Sequence, residues 1–193
     1  MKTASIVLGA IALIALFFGG WLMSSYNSMI TQQNQVDNAW AKVETQYERR
    51  FALIPNLVNS VKAVLKQEQT VFGDIAEART RYAGAKASGS QESQTQAFGQ
   101  YESAIGRLLV IMENYPELKS YAQVQSLMDE LAGTENRVLV ARNDFNTEAT
   151  SWNINISRFP RNILASMFGF DKRTLFASQE GANQVPGVEF NLN

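Results

Sequence analysis

The chain has 193 residues, a net charge of −1, and neither histidine nor cysteine. The length suits one domain with an appendage. The missing residue types exclude histidine-based acid–base chemistry, disulfides, thiol nucleophiles and lipid attachment to cysteine, and the near-neutral charge argues against nucleic acid as a partner, because phosphate affinity needs clustered Lys and Arg.

The first element is apolar. Ile6 to Met23 reads IVLGAIALIALFFGGWLM, 18 residues without a charge. At about 1.5 Å per residue this run spans about 27 Å, close to the hydrocarbon thickness of a bilayer. Trp21 and Tyr26 stand at its far end, where amphipathic rings favour the interface. A cleaved signal peptide needs small residues before its cut site, and Phe17, Phe18, Leu22 and Met23 are too bulky, so a retained single-pass anchor is expected. Lys2 precedes the run and no basic residue follows until Lys42. That asymmetry favours a cytoplasmic N-terminus and an exported main domain.

From Ser24 onward the spacing is helical. Met29, Val36 and Val43 recur every seven residues; Tyr26, Trp40, Tyr47 and Ile54 form a near-parallel row, an apolar stripe at coiled-coil-like spacing. The anchor is expected to continue into the first soluble helix as far as about Phe51, with Pro55 marking a turn. A second helix is predicted over about Pro55–Tyr82, carrying Val58, Val61, Leu65, Phe72, Ile75 and Tyr82 on one face. Gly84 to Gln96, rich in Gly, Ser and Gln, reads as a mobile loop. A third helix is predicted over about Ala97–Tyr115 and a fourth over about Ser120–Ser157, where Gly133 costs about 1 kcal/mol relative to alanine.

The expected fold is all-α: a single N-terminal transmembrane helix (1–25) continuous with an antiparallel four-helix bundle (26–160), then a short C-terminal amphipathic helix and irregular tail (161–193). Up-and-down order returns both the Gly84–Gln96 loop and the end of the fourth helix to the bilayer.

The segment after the fourth helix, Arg158 to Phe176, reads RFPRNILASMFGFDKRTLF. Ile163, Leu164, Met167 and Phe168 share a face, and cations flank it. Arg158, Phe159, Arg161, Met167, Phe168, Lys172 and Arg173 are therefore candidate membrane-surface contacts. The competing reading, favoured by the shortness of the segment, is that it folds back to cap the open end of the bundle. Four cations at the bilayer also fit an anionic cytoplasmic surface, which pulls against export.

A second candidate site is a polar network of Arg50, Asn56, Glu135, Asn136 and Arg137. Two residues of the Glu135–Arg137 trio are expected to point partly inward between Leu131 and Val138. Such a cluster serves a ligand or a proton in one reading, and fixes bundle register in the favoured one. No metal or cofactor is expected: Glu-x-x-His pairs are impossible without histidine, and Asp129-Glu130 is the sole adjacent acidic pair. Ser60 and Lys62 have nothing to position them as a catalytic pair.

Four strings resemble the LemA family of bacterial membrane proteins. They are YNSMITQQNQVDNAWAKVETQYERRFALIPNLVNSVK (Tyr26 to Lys62), ENYPELKS (Glu113 to Ser120), GTENRVLVARNDFN (Gly133 to Asn146) and RFPRNILASMFGF (Arg158 to Phe170). They fall in order and cover nearly the whole polar part. The resemblance implies one N-terminal transmembrane helix, an antiparallel helical bundle and no established enzymatic activity; relatives of the family take part in magnetosome formation. Some relatives use a lipobox cysteine, which this chain lacks.

The expected role is therefore a scaffold or interaction protein without catalysis. Its expected partners are the lipid bilayer and further copies of itself or other membrane proteins; the sequence names no small-molecule ligand. The polar stretch Asn27 to Asn38 holds six Asn or Gln, which suits helix-to-helix contact in an oligomer. The alternative is membrane-surface sensing or remodelling through the basic, Phe-rich C-terminal segment.

Overall fold

The computed structural model describes residues 2–176, and the expected irregular tail from Ala177 onward lies outside them. The described residues are all-helical. Helix α1 spans Lys2–Val61, α2 Gln69–Ser88, α3 Gln91–Glu113, α4 Ala122–Ser157 and α5 Arg161–Phe168, with a 3-10 turn at Pro116–Ser120.

α1 has two characters. From Ile6 to Met23 its large apolar side chains stand mostly exposed. It is the one helix among the described residues long and apolar enough to cross a membrane. From Ser25 onward a heptad row turns inward: Met29, Val36, Val43, Arg50 and Leu57 are all buried. A second row adds Tyr47, Ile54 and Val61.

α4 answers with Val124, Leu131, Val138, Phe145 and Trp152, again at seven-residue spacing and all buried. Gln32 bonds Asn155, Trp40 meets Phe145 at 5.3 Å between ring centroids, and Arg49 bonds Glu130 at 3.0 Å. Contact partners therefore run in opposite order along α1 and α4. Along α2 and α3 the partners also run in opposite order, Asp74 with Arg107 and Arg81 with Gln100.

Three boundary expectations are corrected. Pro55 lies inside α1 instead of at a turn. An interior proline costs about 3 kcal/mol. Beyond it Leu57 and Val61 bury completely, and each such burial is worth about 1.5–3 kcal/mol. Together with Ile54 on the same face, they outweigh the proline. The turn falls at 62–68, where Leu65 is buried.

Second, Gly84–Gln96 is not a mobile loop. α2 runs through Ser88, Gly89 takes the left-handed conformation (φ 69°) that ends it, and Ser90 caps α3 by accepting from the Ser93 amide at 3.2 Å.

Third, that turn does not return to the level of the apolar span. Lys86 pairs with Glu48, and Phe51 stacks on Tyr82. Glu48 lies about 37 Å along α1 from Met23. α2 and α3 are simply too short to reach back, and the C-terminal segment fills the space below them.

Candidate functional site

Two places concentrate polar or unusual chemistry. The first is the core around Arg50, which takes a heptad position otherwise held by apolar residues and is only 4% exposed. Its guanidinium lies 3.5 Å from Glu102 of α3. Arg142 of α4 reaches the other oxygen of the same carboxylate at 2.9 Å, and the Tyr47 hydroxyl donates to Glu102 at 2.7 Å. Arg142 also lies over the rings of Tyr47 and Phe176, at 5.5 and 4.8 Å. Two cations thus share one carboxylate, and the Nε atoms of both arginines are buried without a partner.

Burial, reinforced by the Glu102 charge, pushes the Tyr47 hydroxyl far above its usual range, partly opposed by Arg142 and Arg50. Burial likewise raises Tyr101, whose hydroxyl donates to the Arg50 carbonyl at 3.4 Å. These phenols stay protonated and act as fixed donors. The cluster ties α1, α3 and α4 into one register.

The five residues expected to form a network do not come together. Arg50 joins Glu102 and Arg142 instead. Asn56 is exposed, beside Asn59 and Ser60 in a shallow cleft against Gln123 and Leu127 of α4. Glu135, Asn136 and Arg137 are all exposed, because Leu131, Thr134 and Val138 take the inward positions of that turn. Glu102 and Arg142 were missed. A signal existed in the spacing: Arg142 sits four residues after Val138 and three before Phe145, on the edge of the stripe.

The second place is the end of the molecule next to the apolar stretch of α1. Leu164 and Ala165 of α5 are buried against the rest of the chain, so one face caps the helices. The other face is bare: Ile163, Met167 and Phe168 are exposed, and Phe159 just before α5 is 81% exposed. Phe168 packs on Tyr26 at 4.8 Å between centroids, which sets α5 beside the end of the apolar run. The capping reading accounts for the buried face of this segment.

Of the expected cations, Arg158 and Lys172 are exposed and line a common cleft with Asn153 and Leu175. Arg161 bonds Asn155, itself bonded to Gln32. Arg173 differs from the expectation: it pairs with Asp37 of α1 at 2.8 Å and is tied to the fold.

The chain after α5 is held as a strap along α4. Trp152 donates to the Asp171 carbonyl at 2.9 Å. Asn153 both donates to and accepts from the Arg173 backbone, at 2.8 Å each way. Asn146, one heptad earlier, does the same for Phe176 at 3.0 and 2.9 Å. Phe176 is thereby stacked on Trp40. No cluster of three or more acidic side chains able to hold a metal ion occurs among the described residues.

The sequence is similar to three named proteins and matches one family. Magnetosome protein MamQ 2 of Paramagnetospirillum magneticum is 26% identical over 206 residues, covering 95% of this chain and 75% of that protein. Magnetosome protein MamQ of Magnetospirillum gryphiswaldense is 25% identical over 188 residues, covering 86% and 69%. Protein LemA of Metamycoplasma hominis is 23% identical over 154 residues, covering 80% and 69%. The LemA family matches residues 39–190, which include the Arg50 cluster, the capping helix and the strap, and the chain belongs to that family.

Proposed function

We propose that this chain is a membrane-anchored scaffold of the LemA type, without catalytic activity. It would stand as an antiparallel four-helix bundle on a single transmembrane helix in a bacterial cytoplasmic membrane, with the bundle on the exported side. The observation that carries this reading is α1 itself. One unbroken helix runs from the exposed apolar stretch to the far end of the core, so the bundle has no flexible tether and holds a fixed position over the bilayer. The clustered side chains around Arg50 cross-brace three helices and include no activated nucleophile. The names its relatives carry are not those of enzymes.

Crosslinking and affinity capture of the intact chain from native membranes test the scaffold. Higher oligomers or a defined membrane-protein partner support it; a monomer without partners overturns it. A reporter fused at Asn193 reads the side of the bundle.

The bare face of α5 favours a second reading, membrane-surface sensing or remodelling. Phe159, Met167 and Phe168 beside Arg158 and Arg161 make an interfacial pattern. Liposome binding by the chain without its apolar stretch, compared with Phe168→Asp and Arg161→Glu variants, decides it. Equal binding by all three removes this reading.

A further inference from the structure

We propose that the groove between α1 and α5 is a lipid site, holding one acyl chain of a phospholipid whose anionic headgroup is met by Arg161. The proposal rests on the reading of Ile6–Met23 as a membrane span.

The groove has a volume of about 620 Å³. That lies within the range of about 300–1,000 Å³ typical of small-molecule sites. One wall is the last two turns of the apolar run, with Phe18, Gly19 and Trp21; the other is Pro160, Ile163 and Met167. An apolar cavity of this kind does not attract water, because water there finds no polar partners. Its place along α1 is decisive. A cleft lined by the end of a membrane span opens where hydrocarbon meets headgroups, so the molecule at its mouth is a lipid.

Gly19 keeps the groove open. A Cβ built on it meets no atom within 4 Å, so the backbone faces free space. Arg158 and Arg161 flank the groove residue Pro160 in the chain, and Arg161 reaches to Asn155 and through it to Gln32, on the polar side of the apolar run along α1. Neither arginine forms an ion pair with a carboxylate among the described residues, and Arg161 is oriented by Asn155. An anionic lipid brings the opposite charge.

The test uses the full chain in nanodiscs of mixed phosphatidylglycerol and phosphatidylethanolamine, followed by native mass spectrometry. The expected result is one retained phospholipid per chain, with phosphatidylglycerol favoured by about fivefold, the effect of one cation beside an anionic headgroup. Gly19→Trp, which fills the groove, abolishes retention, and Gly19→Leu reduces it. Gly9→Trp also adds a side chain into open space on α1 but away from α5, and it retains lipid as the wild type does. Arg161→Gln keeps the lipid and loses the headgroup preference, an arm that does not depend on how Gly19→Trp folds.

Equal lipid retention by wild type and Gly19→Trp overturns the proposal, as does a lipid-free dimer that Gly19→Trp separates. Release of the wild-type chain from membranes by alkaline carbonate overturns the span reading itself. A chain that stays integral, with retention unchanged by Gly19→Trp, removes only the groove.

Discussion

Arg50 and Arg142 share the carboxylate of Glu102, one guanidinium at each oxygen, at 3.5 and 2.9 Å. The two cations come from α1 and α4 and the acid from α3, so the charge balance of the core is +1 around this carboxylate. Removing the acid strands both arginines. Removing one arginine relieves the excess.

Glu102→Ala is accordingly expected to destabilise the fold by roughly 2–4 kcal/mol, about 1 kcal/mol below the range for breaking a fully buried pair because Glu102 is partly exposed. Arg50→Met is expected to cost under about 1 kcal/mol, since a well-shaped apolar side chain at a heptad position replaces a charge that is half-compensated. Thermal unfolding of the two variants in detergent, followed by circular dichroism, checks the order. A larger loss for Arg50→Met than for Glu102→Ala would contradict it.

Tyr47 and Tyr101 give the fold an alkaline limit. Burial raises both phenols above the ordinary value of 10.0, so below pH 10 folded and unfolded chains alike carry them neutral and their contribution is complete. Above pH 10 the unfolded chain releases these protons while the folded chain keeps them, and unfolding is progressively favoured. The melting temperature should therefore fall more steeply above pH 10 in wild type than in Tyr47→Phe. Parallel pH profiles would show that Tyr47 is not the source.

The helical rows were legible because burial follows spacing: Val124, Leu131, Val138, Phe145 and Trp152 are an unbroken heptad in the sequence and in the core. Two boundaries were not legible, for opposite reasons. Pro55 looks like a stop, yet the burial of residues on both sides carries α1 past it. The segment from Lys62 to Glu68 contains no glycine or proline, yet the chain turns there because Leu65 buries in the core. Local chemistry speaks for itself, and tertiary burial overrides it without a local mark. The site behaved alike. Arg50 is visible as a charge in a heptad row, whereas Glu102 comes from a helix distant in sequence, and one helix's pattern does not reveal what faces it.

The strap depends on two asparagines one heptad apart. Asn146 satisfies both backbone polar groups of Phe176, and Asn153 both of Arg173. Asn146→Ala leaves those backbone groups without their partner, at about 1–3 kcal/mol, and frees Phe176 from the Trp40 ring. Hydrogen–deuterium exchange at the Phe176 amide should accelerate in Asn146→Ala, while amides in α2 stay protected. Unchanged exchange at Phe176 would mean that the Trp152 and Asn153 bonds and the Trp40 ring hold the strap without Asn146.

Pro55 is the least obvious element of α1, and its removal tests why the helix continues through it. The proline supplies no amide to the helical ladder, and its ring crowds the preceding turn, at about 3 kcal/mol in a helix interior. Its neighbours Ile54 and Leu57 are each 1% exposed and hold the helix against that cost. Pro55→Ala should thus keep α1 intact and raise stability by about 1–3 kcal/mol, read as a higher melting temperature. Leu57→Ala should do the reverse, losing about 2–5 kcal/mol through the cavity it leaves and fraying α1 beyond Pro55. If Pro55→Ala instead destabilises the chain, the proline is shaping the helix, and burial is not merely overcoming it.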